Sequence, residues 1–359
     1  MSRTFKSHHV AAVLLVPVAV TAFAAPARAQ AYLPARGEGS VSVLFNDTDV
    51  LNHYFTASAD DGSLINVRAD RGRIRSESLL VDVTYGLTDK IAVSIGIPWV
   101  ASKYTGPFPH VLASDLTTPN PVDDGSYYST FQDFRFDLRY NVTKKGMVLT
   151  PFIGSIVPSH DYQYFAHAGA GRDLKEMQLG VLGAKLLDSL VPGLFVQGRY
   201  SYGFPQTVVD VSHNRSNMDL EVGYFVTPKL RLLALGSGQI THGGLDYTLV
   251  FSDAAPAGRA AIISEAGLTD FSTQIRVHHD QIERVNFLHL GGGVTYALTE
   301  NMDLFGSMIT SVAQRNGHEI HRGVSVGASW SFSTNRGRNR AIASNAGSLA
   351  KCLCEKRAM

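Results

Sequence analysis

Apolar and polar residues alternate with a period of two along most of the chain. The clearest stretch is residues 131–140, in which charged side chains occupy one parity and apolar side chains the other. In a β-strand this gives one charged face and one apolar face, whereas a helix would scatter both sets around its axis. The same alternation recurs at residues 79–85, 93–99, 196–202, 218–224, 288–296 and 324–332. The pattern therefore predicts an all-β protein.

Four of these segments end in the same motif, Tyr-x-x-Thr, which begins at Tyr85, Tyr140, Tyr224 and Tyr296. A short polar turn and a new apolar run follow each copy at once. Between these turns the chain makes long excursions. They lie near residues 58–63, 104–128, 160–171, 206–213, 244–280 and 315–319. Short turns on one side and long loops on the other are typical of outer-membrane barrels.

The alternation and the turns together predict a transmembrane antiparallel up-and-down β-barrel of about twelve strands. The expected strands are residues 39–57, 64–87, 90–104, 129–143, 147–159, 172–187, 193–206, 212–227, 229–243, 280–299, 301–314 and 319–332. An even number of strands places both chain termini on the short-turn side. A soluble sandwich or lipocalin-like barrel also alternates. Small Gly and Ser residues opposite large apolar ones fit a crowded lumen better than a solvent-facing surface.

The first 29 residues predict a secretory signal peptide. Arg3 and Lys6 precede an apolar run at residues 10–25, and Ala27-Arg28-Ala29 forms a cleavage site of the A-x-A type, with cleavage after Ala31 as the alternative. The apolar run is shorter than the ~20 residues of a membrane-spanning helix. The expected organisation is a signal peptide at 1–29, a barrel at 30–332 and a tail at 333–359.

Charge and composition refine this organisation. The whole chain has a net charge of +1, which argues against a nucleic-acid partner. The predicted tail carries +5 and the barrel −7, so the average hides an acidic body and a basic C-terminal segment. The composition of this segment predicts disorder. The two cysteines, Cys352 and Cys354, both lie in the tail, which excludes a disulfide scaffold in the barrel.

The last predicted strand has alternate apolar residues that end on an aromatic one, Phe332. This pattern resembles the C-terminal signal that barrel-assembly machinery recognises. With the motif tyrosines it predicts an aromatic belt on the periplasmic side. The belt residues are Tyr85, Tyr140, Tyr224, Tyr296, Trp330 and Phe332. The expected surroundings are outer-membrane lipid and lipopolysaccharide of a Gram-negative bacterium, with the protein as a monomer.

Several segments carry a family resemblance. They are residues 85–99, 131–140, 149–154, 158–162, 198–202 and 219–224. They resemble segments of bacterial outer-membrane barrels that are classed as transporters and grouped with a protein of the meta-cleavage phenol-degradation pathway. The resemblance covers the chain to Phe332. It implies a transporter-like role, and an aromatic or hydrophobic solute is implied by this association alone.

The inward parity of the predicted strands carries a set of polar side chains. They are Asp82, Asp133, Arg135, Asp137, Arg139, Glu176, Gln178, Gln197, Arg199, Asn217, Asp219, Glu221 and Asp303. One interpretation is a pore lining of mixed charge for small organic solutes. The other is a lumen closed by salt bridges, because charges inside a narrow barrel must pair or stay hydrated. We expect a passive channel, with a structural or surface-binding barrel as the alternative.

Histidines are concentrated on the long-loop side, and only His289 lies deep in a predicted strand. The others are His53, His110, His160, His167, His213, His242, His278, His279, His318 and His321. Imidazoles at a mouth could bind Zn²⁺ or Cu²⁺ or sense pH. No pair has a dedicated ligand spacing, and adjacent His278 and His279 would point to opposite faces of a strand. The pattern favours a polar rim, so no metal site and no cofactor is predicted.

An outer-membrane hydrolase is the remote alternative in a different class. It would need a nucleophile beside a base at the outer rim. Ser159-His160-Asp161 and Ser212-His213 bring such residues together in sequence. Adjacent strand residues face opposite ways, so neither segment is a ready-made catalytic group. We therefore predict no enzymatic activity.

Overall fold

The computed structural model describes residues 31–58, 64–112, 114, 118–143, 146–249, 260–263, 269–270 and 273–334. The predicted signal peptide and nearly all of the predicted tail, including Cys352 and Cys354, lie outside these residues. The described strands are β1 (Glu38–Ser58), β2 (Leu64–Ala69), β3 (Arg73–Gly86), β4 (Ile91–Thr105), β5 (Tyr128–Phe131), β6 (Phe134–Tyr140), β7 (Met147–Val157), β8 (Glu176–Leu186), β9 (Leu194–Pro205), β10 (His213–Phe225), β11 (Leu230–Gly243), β12 (Asp246–Leu249), β13 (Ala260–Ile263), β14 (Thr269–Asp270), β15 (Asn286–Thr299), β16 (Met302–Arg315) and β17 (Gly317–Ser333). A single α-helix, α1 (Thr273–Ile282), is described between β14 and β15.

Twelve antiparallel strand positions form a closed barrel, which confirms the predicted fold. The order around the wall is β1, β3, β4, β6, β7, β8, β9, β10, β11, β15, β16 and β17, and β17 pairs back onto β1. β2 and β5 extend the positions of β3 and β6, because β2 pairs with β1 and β5 pairs with β4. β12, β13 and β14 form a small extension that touches the wall where Thr56 is paired with Thr248. Among the described residues, no helix is long and apolar enough to cross a membrane.

The apolar parity of the strands faces outward. Leu138, Ile153 and Leu179 are each about half exposed although all three are large and hydrophobic. The same holds around the wall for Leu79, Ile95, Trp99, Phe136, Val181, Met218, Leu220, Leu232, Leu290, Leu304 and Val326. A soluble barrel would bury this face, whereas a continuous exposed apolar band fits a lipid environment. The molecule is therefore a membrane barrel of the outer-membrane type.

The Tyr-x-x-Thr motif has a structural role at the short turns. In the turn between β3 and β4, the Thr88 hydroxyl accepts hydrogen bonds from the backbone N–H groups of Lys90 and Ile91, at 3.1 and 2.9 Å. Thr227 does the same for Lys229 and Leu230, at 3.2 and 3.0 Å. The threonine thus satisfies backbone donors that the turn leaves unpaired.

The aromatic side chains of the predicted belt lie near these turns. Tyr140, Tyr224, Tyr296 and Trp330 are exposed on the outer surface near the short-turn end. A further belt residue, Phe332, is half-buried and stacks on Tyr85 with ring centroids 6.4 Å apart. Their role as an interfacial belt remains a prediction.

Four expectations about individual elements are wrong. The strand predicted at 64–87 is interrupted between β2 and β3, at residues 70–72. The strand predicted at 129–143 is interrupted between β5 and β6, at Gln132 and Asp133. The strand predicted at 280–299 begins only at Asn286, because the preceding residues form α1 and a short connection. The excursion predicted at 315–319 is a tight hairpin turn. There Asn316 and Gly317 have φ angles of 54° and 72°, as a type I′ turn requires.

We expect an arginine on the lipid-facing side of the wall to destabilise the barrel according to its depth. Leu220 is 46% exposed in the middle of β10, whereas Val226 is 41% exposed in the short turn that follows this strand. Leu220→Arg should lower the free energy of unfolding by about 2–4 kcal/mol, because a cation is costly near the bilayer midplane. The matched change Val226→Arg should cost at most about 1 kcal/mol. Denaturant titration in lipid vesicles measures both, and equal effects would contradict this placement of the membrane.

Candidate functional site: the lumen and its inward-folded loops

A cavity of ≈ 290 Å³ lies inside the barrel. Eight of the thirteen residues predicted to face inward line it: Asp82, Arg135, Asp137, Arg139, Gln178, Arg199, Asn217 and Asp219. Its other lining residues are Ser94, Gly96, Ser155, Ile156, Ser201, Arg215, Ser237, Gly238, Gln239 and Phe287. The cavity is therefore polar and carries charges of both signs.

Asp137 is the centre of the charged network. Its carboxylate accepts hydrogen bonds from Arg199 at 2.7 Å and from Arg139 at 2.9 Å. Arg139 lies on the same strand as Asp137, β6. Arg199 lies on β9, and β7 and β8 separate β9 from β6 in the wall. The Arg199 guanidinium also lies over the Phe152 ring, 3.8 Å from its centroid. One arginine thus joins two separate parts of the wall and is packed against an aromatic face.

A second group of polar contacts joins β8, β9 and β10 beside the cavity. Gln178 donates a hydrogen bond to Glu176 at 2.7 Å and accepts one from Arg199 at 3.2 Å. Arg215 forms an ion pair with the buried Glu176 carboxylate. Arg215 was not among the predicted residues, although it shares the inward parity of Asn217 and lies two positions before it.

Asp133 is contacted by a residue that the strand pattern could not supply. The hydroxyl of Tyr162, in the loop between β7 and β8, donates a hydrogen bond to its carboxylate. The same hydroxyl accepts one from the backbone N–H of Asp173 at 2.9 Å. Burial, together with the hydrogen bond to Asp133, raises the pKa of Tyr162 well above its ordinary value. The tyrosine therefore stays protonated and holds the loop against the wall.

Four more of the predicted lumen residues, Gln197, Asp219, Glu221 and Asp303, have partners on other strands. Gln197 donates to Glu221 at 2.8 Å, and Arg231 lies 3.3 Å from Asp303. The Asp219 carboxylate accepts a hydrogen bond from the hydroxyl of Ser237 at 2.7 Å. These four side chains are thus paired between strands, as their burial favours.

An apolar cluster lies at the short-turn end of the lumen. Ala31 is fully buried in a cluster with Val148, Phe152, Leu182 and Ala184, all from the inner faces of β7 and β8. The Thr150 hydroxyl donates a hydrogen bond to the Ala31 carbonyl at 2.6 Å. The segment that precedes β1 therefore enters the barrel and narrows this end, which the sequence pattern did not predict.

The loop end is filled by chain segments that fold inward. Ala168, in the loop between β7 and β8, packs against Val50, Ile74 and Tyr104 from the inner faces of β1, β3 and β4. The α1 helix is held to the same loop, because Gln281 donates a hydrogen bond to the carbonyl of Arg172 at 2.6 Å. The long loops thus occupy the mouth of the barrel.

Asp123, in the loop between β4 and β5, organises this packing. Its carboxylate accepts hydrogen bonds from the backbone N–H groups of Ala168, His110 and His167 at 2.9, 2.9 and 3.1 Å. Burial alone would raise its pKa, but these bonds and the His110 ring hold the pKa below its ordinary value. The carboxylate therefore remains charged and ties two loops together.

Five of the histidines predicted on the long-loop side come together in this mouth. The centroids of the His53 and His318 rings are 4.3 Å apart, and those of His110 and His167 are 4.2 Å apart. The His279 ring lies 5.4 Å from that of His110. Burial and the nearby His110 lower the pKa of His167 to about 3, so this ring is neutral. His278 and His279 lie on α1, so the expectation that they point to opposite faces of a strand is wrong.

His160 and His289 lie apart from this group. Ser159 contacts the Nδ1 atom of His160 at 2.8 Å, while Thr130 contacts its Nε2 atom at 3.0 Å. Ser159 and His160 lie beyond the end of β7, so their side chains need not point in opposite directions as adjacent strand residues do. The second ring nitrogen faces a hydroxyl, not the carboxylate that orients the base in a serine triad. Within the barrel wall, His289 stacks on Phe287, with centroids 4.2 Å apart.

The closed wall, the apolar exterior and the polar lumen define an outer-membrane β-barrel. No protein-family model and no curated protein matches the sequence. Among solved structures, the chain is similar to the COG4313 outer membrane channel from Pseudomonas putida F1, with 13% identity, 86% of this chain and 100% of that chain covered, and a TM-score of 0.58. It is also similar to the translocator domain of the autotransporter NalP from Neisseria meningitidis, with 12% identity, coverage of 83% and 90%, and a TM-score of 0.42. The TodX deltaS2S3 mutant monoaromatic hydrocarbon channel gives 10% identity, coverage of 84% and 92%, and a TM-score of 0.40. At 13% identity, the similarity to the COG4313 channel shows a shared fold alone.

The ion pair between Arg199 and Asp137 should contribute strongly to stability. Arg199→Gln leaves a buried carboxylate with one fewer partner, so the free energy of unfolding should fall by about 3–5 kcal/mol. Arg68, which pairs with Glu319 at 2.7 Å on an exposed extension of the barrel, provides the matched control. Arg68→Gln should produce no measurable change, because exposed pairs contribute little. Denaturant titration of the two variants checks this, and a similar effect of both would argue that the lumen is as hydrated as the surface.

Proposed function

We propose that this protein is a passive outer-membrane channel for small organic solutes. The observation that carries the proposal is the polar cavity inside the barrel, which is lined by charges of both signs. Such a lining stabilises water and polar groups of a solute along a path that lipid would otherwise block. The solved barrel with the same fold is named an outer membrane channel, which supports the proposal.

The two ends of the lumen suggest how passage would be controlled. At the short-turn end the Ala31 cluster narrows the lumen, and at the loop end the loops around Asp123 fill it. A solute would have to displace the loop between β7 and β8, or α1, to reach the cavity. The channel we propose is therefore a gated one, in which the inward-folded loops are the moving part.

A closed structural barrel is the second candidate, and the ion-pair network favours it. Asp137, Arg139 and Arg199 satisfy one another, and Glu176 is paired with Arg215. A lumen held shut by these pairs would conduct nothing. The two candidates differ in a measurable property, because the first predicts current through purified protein and the second does not.

Conductance in planar bilayers tests the channel directly. The wild-type protein should conduct, and the double substitution Arg135→Ala with Arg139→Ala should shift its selectivity towards cations. The reason is that two positive charges are removed from the cavity lining. The control is Arg68→Ala with Arg322→Ala, which removes two exposed arginines from the loop end and should leave selectivity nearly unchanged.

Absence of current at any voltage, from protein whose gel mobility shows a folded, heat-modifiable barrel, would contradict the channel and support the closed barrel. Unchanged selectivity in the double variant would argue that Arg135 and Arg139 do not face the conducting path.

The solute class follows from the family resemblance of the sequence, which implies aromatic or hydrophobic compounds. Growth of a deletion strain on a panel of aromatic carbon sources tests this part separately. Slower growth on aromatic compounds at low concentration, restored by the wild-type gene, is the expected result. Normal growth on all of them would overturn the aromatic assignment and leave the conductance result intact.

A further inference from the structure

Two histidines face each other across the seam that closes the barrel. His53 on β1 is paired with His318 on β17. The pairing of β1 with β17 has register shifts between Asp49 and Val50 and between Val50 and Asn52. Val50 points inward, so strict alternation would turn His53 outward. His318 faces inward by simple alternation from Ile320, which pairs with Val50. The bulge after Val50 turns His53 to the same inner face at the loop end, and bulges commonly re-aim a side chain in this way.

The inward-folded loop between β7 and β8 adds a third imidazole. His167 lies against the inner wall because Asp123 holds its backbone N–H and that of Ala168. Its ring centroid is 5.1 Å from that of His53 and 6.4 Å from that of His318. One ring nitrogen from each of His53, His167 and His318 can be chosen so that all three lie within 4.8 Å of one another.

Two of these rings, those of His53 and His167, have nitrogen atoms without hydrogen-bond partners among the described residues. His53 is only 5% exposed, and neither of its ring nitrogens has a hydrogen-bond partner among the described residues. A buried polar atom left in this way costs free energy and calls for an unseen partner. The Nδ1 atom of His167 is buried and unpartnered as well.

The environment of His167 also fixes which nitrogen carries its proton. Its Nε2 atom lies 3.0 Å from the carbonyl oxygen of Phe108, which can only accept a hydrogen bond. A neutral His167 must therefore be protonated at Nε2, and its Nδ1 lone pair is free. Donation of the second ring N–H to a backbone carbonyl is the arrangement that orients histidine ligands in metal sites.

We propose that His53, His167 and His318 form a binding site for a divalent transition-metal ion, with zinc as the representative ion. Neutral imidazole is a preferred ligand of zinc and of its neighbours copper and nickel. Zinc–nitrogen bonds are about 2.0–2.1 Å long, so small side-chain rotations would bring three nitrogens within 4.8 Å onto one ion. Three protein ligands leave a fourth position for water or a solute.

Two neighbouring triads fit less well. His110, Asp123 and His167 also lie within ligand distance, but the Asp123 carboxylate already accepts three backbone hydrogen bonds. In the group of His110, His279 and Asp280, the carboxylate is paired with His279 at 3.2 Å. Asp123 and Asp280 both act electrostatically on His167 and His318, so they would add negative charge near the proposed ion.

Metal binding to the detergent-purified barrel tests the proposal without reference to transport. The protein is isolated without a histidine tag, stripped with chelator and titrated with Zn²⁺ against a competing dye. Co²⁺ serves as a spectroscopic probe of the ligand set. One equivalent of Zn²⁺ should bind. His53→Ala and His318→Ala should each weaken binding by about 100-fold or more, because even second-shell changes cost 10–100-fold.

His321→Ala is the matched control, since it removes a histidine three positions from His318 on the same strand and outside the proposed site. It should leave the affinity for Zn²⁺ unchanged. Heat-modifiable gel mobility establishes that each variant is folded. If His53→Ala does not fold, the His318→Ala result decides. No retained Zn²⁺ in the wild type, or equal affinity in the wild type and the folded ligand variants, would overturn the site. Neither outcome would affect the proposed channel, which is tested by current.

Discussion

The structure depends on the need to pair every backbone N–H and C=O group of a chain that crosses lipid. A hydrocarbon layer offers these groups no hydrogen bonds, so a sheet can cross only if it has no free edge. Here the pairing of β1 with β17 over most of their length removes that edge. Closure then assigns the two faces of every strand. The outer face must be apolar, and the polar and charged side chains lie on the inner face. This division produces the alternation seen along the sequence.

Closure with twelve strands also makes the lumen narrow, and a narrow lumen restricts how charges can be placed in it. An inward-pointing carboxylate such as Asp137 loses much of its hydration, and Arg139 and Arg199 compensate by bonding to it. Pairs that reach across β7 and β8, as Arg199 does, add cross-links that the backbone ladder does not supply. The network both stabilises the wall and sets the polarity of the cavity. A channel and a closed barrel could therefore share the same side-chain arrangement and differ only in whether the loops at the mouth move.

The positions of the strands, and which side chains face lipid or the lumen, could be predicted from the sequence because both follow from local periodicity. The parity around Phe136 or Leu220 is readable over a few residues. The partners of the inward residues were not predictable, since Tyr162 reaches Asp133 from a loop and Glu176 pairs with Arg215 two strands away. Several positions broke the periodic rule for physical reasons. The wall is interrupted beside Asp133, the residues before β15 form a helix that packs on a loop, and a two-residue I′ turn replaces an expected excursion at Asn316.

The histidines show most clearly what spacing alone cannot reveal. Their ligand-like proximity depends on the seam between the first and the last strand, on a bulge beside Val50 and on a loop held by Asp123. None of these leaves a short motif, because His53 and His318 become neighbours only when the barrel closes. The two ends of the lumen consequently differ in chemistry. The short-turn end is narrowed by an apolar cluster around Ala31, which responds to neither protons nor metal ions. The loop end is packed with imidazoles and carboxylates, so any chemical control over entry to this barrel belongs there.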